Sequence, residues 1–209
     1  MTKRKRKPKK LLIFIICILL LAVASFAIYK LVFNKEEVKE AKVIGEIPKY
    51  GYVLKENKTA RYKDMFKELK DILEADKVDQ EKYVKKITEM FIYDFYSLDD
   101  KVAKTDVGGT DFVYKEVLEN FLVNAEDTYY KYIESNIYKN RKQSLPEVKD
   151  ITINNVEQKA FKYGNTTDSE AYYVDVSWTY KGSNFEDYQN KATLVFVHDG
   201  IKLVLVELQ

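Results

Sequence analysis

Hydrophobic positions along the chain change period twice, and the changes divide it into regions. From Ala60 the residues Met65, Phe66, Leu69, Ile72 and Leu73 recur at the spacing of one helix face, which predicts a first helix near 60–75. Asp79 is placed to cap a second helix. In it Tyr83, Val84, Ile87, Met90, Phe91, Phe95 and Leu98 keep one face apolar until Ser97-Leu98-Asp99-Asp100 ends it. Gly108-Gly109 then marks a tight turn, and Thr110 or Asp111 can cap a third helix running to about Asn140, with an interruption at 124–128.

After Pro146 the period becomes two. Ile151 and Ile153 share a side of a first strand, and Asn154-Asn155 suggests a bulge before Val156–Tyr163. Tyr172, Val174, Val176, Trp178 and Tyr180 alternate with Tyr173, Asp175, Ser177 and Thr179, giving one apolar and one mostly polar face. Two further strands, 192–197 and 201–208, flank His198-Asp199-Gly200, whose Asp-Gly is a hairpin signal. The expected fold is α+β: three helices packed on a curved four-stranded antiparallel sheet, spanning 60–209. Residues 34–59, with alternating charges and Gly45, Pro48 and Gly51, read as a stalk and lead-in, part of which Ile47, Tyr50, Tyr52, Val53 and Leu54 can pack onto the domain.

The N-terminus has neither period. Leu11–Tyr29 is a 19-residue run without a charge. At ~1.5 Å per residue a helix there spans roughly 28 Å, close to the hydrocarbon thickness of a bilayer. A transmembrane helix over 11–33 is therefore expected. Lys3, Arg4, Lys5, Arg6, Lys7, Lys9 and Lys10 precede it with no acid among them, so residues 1–10 are expected to stay cytoplasmic and touch anionic headgroups, with the C-terminal domain outside the cell membrane. The competing reading is a signal peptide cleaved after Ala24, since Ala22 and Ala24 form an A-x-A pattern; the apolar residues that continue through Phe33 argue against it. Cys17 lacks the small residues that a lipobox needs before its cysteine.

Charge and cysteine content then narrow the function classes. The formal net charge is +2, and removing the seven tail cations leaves −5, so the domain offers no general attraction for nucleic acid. Cys17 is the only cysteine, which leaves the outer domain without a disulfide or a catalytic thiol; an aromatic-rich sequence, 17 Tyr and 11 Phe in the whole chain, supplies large side chains for its core. His198 is the only histidine, so a His-based metal site or triad would need a second chain, and its position before Asp199-Gly200 reads as a turn residue. No cofactor is expected, and Gly108-Gly109 lacks the remainder of a phosphate loop.

Two carboxylates are candidates for acid–base chemistry. Asp94, flanked by Tyr93 and Phe95 beside the apolar stripe of the second helix, is the first, and Asp175, on the polar side of its strand, is next; a buried carboxyl would have a raised pKa suited to proton abstraction. The alternative for Asp94 is a partly exposed helix residue accepting hydrogen bonds from a neighbouring Tyr or Lys. Tyr129, Tyr130 and Tyr132 suggest a stacking site but equally a core with wet tips.

Helices followed by a long, bulged antiparallel sheet resemble, in element order over about 60–208, the cone-shaped fold of the nuclear transport factor two superfamily. With the basic tail and one span, the chain is similar to inner-membrane assembly proteins of type IV secretion and conjugation machines. IPKYGYVLKENKT (47–59) and FYSLDDKVAKTDVGGTDFV (95–113) also resemble uncharacterised membrane-anchored proteins of low-GC Gram-positive bacteria. The last resemblance carries no function with it; the expectation of a non-enzymatic scaffold that binds another envelope protein or its own copy, with a secretion or conjugation component as one case, rests on the anchor and on a domain without an assembled catalytic group. The second expectation is a ligand-binding or enzymatic cone using Asp94 or Asp175.

Overall fold

The computed structural model describes residues 41–182 and 184–209. The basic tail 1–10, the expected span 11–33 and the start of the stalk at 34–40 lie outside the described residues. Among the described residues no helix is long and apolar enough to cross a membrane. Residues Ala41–Gln209 form one compact α+β unit with three helices and a four-stranded antiparallel sheet.

The elements follow the sequence periods closely. Helix α1 (Ala60–Leu73) starts where Thr59 accepts a hydrogen bond from the Tyr62 N–H, and it buries Tyr62, Met65, Phe66, Leu69 and Leu73. Helix α2 (Gln80–Tyr96) is capped by Asp79, which accepts from the Lys82 N–H. Its first half is amphipathic, whereas every residue from Met90 to Tyr96 is buried. A helix turn buried all round is covered on all sides: α1, the sheet and the segment following α2 enclose it. Each large apolar side chain fully removed from water there contributes about 1.5–3 kcal/mol.

The third helix differs from expectation. Helix α3 is only Leu118–Asp127, preceded by a short 3-10 turn at Thr110–Phe112. Two tertiary demands shorten it at its start: Phe112 is buried, and Val113 forms a parallel bridge to Leu205 that helical backbone could not make. At its end Thr128 leaves helical geometry, its hydroxyl donating back to the Asn124 carbonyl at 2.6 Å, so the chain to residue 140 runs as turns.

The main sheet has the order β3 (Val148–Tyr163), β4 (Thr166–Tyr180), β5 (Lys191–Asp199), β6 (Lys202–Leu208). Register shifts between Ile153 and Asn155, where Asn154 is the extra residue, and the Asn154 amide exchanges hydrogen bonds with the Ser177 hydroxyl. Tyr172, Val174, Val176 and Trp178 face the helices in one large core. A smaller cluster, Ala171, Val197 and Val204, lies on the opposite face with Tyr114, Phe161 and Tyr163.

The lead-in is more than a stalk. Strands β1 (Val43–Ile47) and β2 (Tyr52–Lys55) form a hairpin around Pro48–Tyr50, and Ile47, Tyr50, Tyr52 and Leu54 join the main core. The Tyr83 hydroxyl accepts from the Leu203 N–H and donates to the Tyr52 hydroxyl, which donates to the Leu203 carbonyl. The hairpin is thus bonded to α2 and to the edge strand β6. His198 is a strand residue of β5 and no part of the turn, which is made by Gly200 (φ 63°) and Ile201.

Candidate functional site

Asp94 sits in the wholly buried turn of α2, 5% exposed. An ionised carboxylate there is tolerable only with charge and hydrogen-bond partners. Lys58 Nζ approaches both carboxylate oxygens at 2.7 Å, Lys101 Nζ lies 3.5 Å from Oδ1, and the Gly109 N–H donates to Oδ2 at 2.8 Å. Lys101 is itself 3% exposed and also pairs with Asp100 at 2.6 Å. Burial by itself would raise the Asp94 pKa, but Lys101, Lys58 and the Gly109 amide outweigh it and hold the carboxyl below its usual range. Burial pulls the Lys101 pKa down, and Asp94 and Asp100 more than reverse it, so the amine stays charged. The raised pKa suited to proton abstraction expected of a buried carboxyl is therefore not what this environment produces. Asp94 accepts hydrogen bonds from Lys58, Lys101 and the Gly109 N–H, and it is buried rather than the partly exposed helix residue of the second reading.

The glycine pair explains how the loop comes so close. A Cβ on Gly108 would lie 2.0 Å from the Asp94 carbonyl oxygen, and Gly109, at φ 74°, would press one against the Phe91 ring at 2.7 Å. The Tyr130 hydroxyl accepts from the Gly108 N–H and donates to the Phe95 carbonyl, closing the end of α2. Lys58 and Lys101 had no distinguishing pattern in the sequence; an acid inside an all-apolar helical turn was the available signal that cations had to be near.

Asp175 lies on the sheet face away from α2 and accepts from the Thr193 hydroxyl at 2.7 Å. The structure does not bring it near Asp94. The Asp168 carboxylate accepts from the His198 backbone N–H at 2.7 Å and contacts the ring Nδ1 at 2.9 Å, an Asp–His pair tying β4 to β5 that the sequence reading did not foresee. Among the described residues no group of three or more His, Cys, Asp or Glu side chains is placed to hold a metal ion.

A concave site lies elsewhere. A cleft of about 430 Å³ opens between α3 and the C-terminal end of β6. Phe95, Tyr96, Phe121 and Tyr129 line it with aromatic rings, Asn120, Asn124 and Gln189 supply uncharged polar groups, and Glu207 is its one charged lining residue. Such apolar concavity with a few polar groups is the usual form of a binding site. The three tyrosines near residue 130 separate by role: Tyr130 is core, Tyr129 lines the cleft, and Tyr132 is 76% exposed.

Hydroxyl bookkeeping along this wall leaves an open position. The Tyr180 hydroxyl accepts from Trp178 Nε1 at 2.8 Å and donates to the Gln189 carbonyl at 2.6 Å, so Tyr129 must donate its own proton to Tyr180 at 2.9 Å. Tyr96, 1% exposed, with its ring centroid 4.3 Å from that of Trp178 and tilted 36° to it, has a buried hydroxyl with no partner among the described residues. Burial pushes its pKa up, with Tyr180 adding to the shift.

Comparison of the chain with known protein families, with curated proteins and with solved structures finds no match to any of them. The site is therefore interpreted from its own chemistry.

Proposed function

We propose that the chain is a single-pass, membrane-anchored interaction module whose α+β domain binds a partner outside the cytoplasmic membrane. In this reading residues 11–33 span the bilayer, and Lys3 to Lys10 hold the N-terminus at anionic headgroups on the cytoplasmic side. The similarity in element order to the nuclear transport factor two superfamily, and to the inner-membrane assembly proteins of secretion and conjugation machines, supports an envelope scaffold as the class.

One observation carries the choice of a binding module over an enzyme: the buried carboxylate is neutralised by two lysines and directed into a glycine loop, while the concave surface is apolar and aromatic. Neither Asp94 nor Asp175 lines the cleft. Proton abstraction by Asp94 would require breaking its ion pairs first, at a cost of several kcal/mol.

The test is a cross-linking pull-down from native membranes with the full chain. The control ends at residue 40, because residues 43–55 belong to the domain core. A protein retained by the full chain, lost with the control and lost with the cleft variant Asn120→Arg/Asn124→Arg supports the module. Retention that ignores the cleft variant, or no partner above the control, refutes it.

A further inference from the structure

We propose that the cleft receives an extended peptide segment of a partner protein, with cationic side chains between apolar ones, which adds as a strand to the open end of β6. This rests on the interaction-module reading and names its ligand.

The outer edge of β6 is occupied along most of its length. At Leu203 the Tyr83 and Tyr52 hydroxyls satisfy the backbone, and at Leu205 the carbonyl accepts from the Tyr114 N–H at 2.8 Å. The segment through Val113 and Tyr114 thus lies on this edge as a short parallel bridge. It then turns away, the Val117 N–H donating to the Tyr114 carbonyl, and leads into α3. The cleft is the gap left where that segment departs.

Beyond the gap the edge is open. Thr193 and Gln209 exchange both backbone hydrogen bonds. In an antiparallel ladder the neighbouring pair, Leu194 and Leu208, then directs its N–H and C=O groups away from each other. The Leu208 groups accordingly point outward from the sheet, and no described residue pairs with them. Unpaired edge groups beside an apolar concavity are the two requirements of strand addition: main-chain bonds for affinity, and a pocket for alternate side chains.

Charge selects the partner. Glu207 lines the cleft, and the elements that wall it are acidic: α3 carries Glu119, Asp127 and Glu126, the last paired with Lys104 at 4.0 Å, and the 184–190 loop carries Glu186 and Asp187, neither element with a cation of its own. The cation of β6, Lys202, is at the far end, its amine bonded to the Asp111 carbonyl. Three acidic elements around one apolar gap favour a basic strand. A second copy of this domain would bring the same net negative charge, and the chain's own basic tail lies across the membrane in the proposed topology. Helix α3 buries only Ala125 outright, so this wall has apolar surface, such as Phe121, still to cover.

The experiment uses the full chain in nanodiscs of zwitterionic lipid and three fluorescent decapeptides: alternating Lys and Val, alternating Glu and Val, and the Lys–Val peptide with every second amide N-methylated. Anisotropy is expected to show the Lys–Val peptide binding at least tenfold tighter than the other two, with at least tenfold loss in Asn120→Arg/Asn124→Arg. The Leu208 amide should gain protection from hydrogen exchange. Equal binding of the N-methylated peptide overturns strand addition, equal binding of the Glu–Val peptide overturns the charge argument, and binding unaffected by the two arginines places the site elsewhere. Failure of all three peptides while the native-membrane pull-down still retains a cleft-dependent partner overturns the peptide inference and leaves the interaction module standing.

Discussion

Replacing Asp94 by Asn is the perturbation whose outcome the structure constrains most tightly. Asparagine keeps the shape and still accepts from the Gly109 N–H, but it removes the carboxylate paired with Lys58 at 2.7 Å and one of two paired with the buried Lys101. Breaking a buried pair by removing one partner costs ~3–5 kcal/mol, because the remaining charge stays desolvated. Against a typical total of roughly 5–15 kcal/mol this is a large fraction. For a domain of this size it lowers Tm by roughly 6–20 °C, at about 2–4 °C per kcal/mol. Circular dichroism of residues 41–209 during thermal and urea unfolding measures it. The pH dependence gives a second check with a definite sign. The Asp94 carboxyl is held below its usual range in the folded state, so its stabilisation is complete above the unfolded-state value of ~3.9 and disappears as pH falls through the folded value. The gap between wild type and Asp94→Asn should therefore be full at pH 7 and shrink below about pH 4. Removing both charges, as Asp94→Leu with Lys101→Met, should cost less than the two single changes summed. A loss under about 1 kcal/mol at pH 7, or a gap that does not narrow in acid, would refute the view that this carboxylate is a structural anion.

Four further outcomes follow from the same geometry. Gly108→Ala should destabilise by more than the ~1 kcal/mol that glycine-to-alanine changes ordinarily move, since the added carbon meets backbone at 2.0 Å; urea midpoints for Gly108→Ala and Gly45→Ala, whose added carbon meets nothing nearer than 3.5 Å, separate this clash from the general effect. Tyr96→Phe should leave stability unchanged or raise it by up to ~1 kcal/mol, because it deletes a buried hydroxyl without a partner, and a clear loss would reveal a bond there. Thr59→Ala removes the α1 cap and a hydroxyl 3.0 Å from Tyr93, so a loss of about 1–2 kcal/mol is expected by chemical denaturation. The Asp99 carboxyl is pushed up to about 6 by partial burial and by Asp100 and Glu147, although it reaches solvent. Its raised value means stability is lost as pH rises from about 4 to 6, so Asp99→Asn should stabilise above pH 6, by less than ~1 kcal/mol given that exposure, and not below pH 4.

Periodicity carried most of the fold because most elements obey one local rule. The stripe from Met65 to Leu73, the cap at Asp79, the bulge at Asn154 and the alternating face from Tyr172 to Trp178 all combine local preference with burial on the expected side. Residues 110–140 did not, since their apolar spacing suits a helix while Val113 is drawn onto the edge of β6, a partner some 90 positions away that no window can detect. The β1–β2 hairpin was obscured in the same way: its charges and glycines resemble a linker, and Tyr52 reveals itself as core only through Tyr83 and Leu203. At the candidate site, Asp94 stood out as an acid among aromatics, but the lysines that settle its ionisation come from the lead-in and from the loop after α2. Of the cleft only Tyr129 stood out, as one of three tyrosines suggesting a stacking site; its location was not legible, because it depends on where one segment leaves the edge of β6.

The central claim, a domain that binds a partner through the α3–β6 cleft, is tested most directly by site-specific photo-cross-linking in native membranes. A benzophenone amino acid would be placed at Asn120, in the cleft, or at Lys85, on the exposed side of α2, within the full chain. The account predicts one discrete protein adduct from Asn120, competed by the Lys–Val peptide and absent from Lys85. Adducts of equal strength from both positions, or none from Asn120, would contradict it.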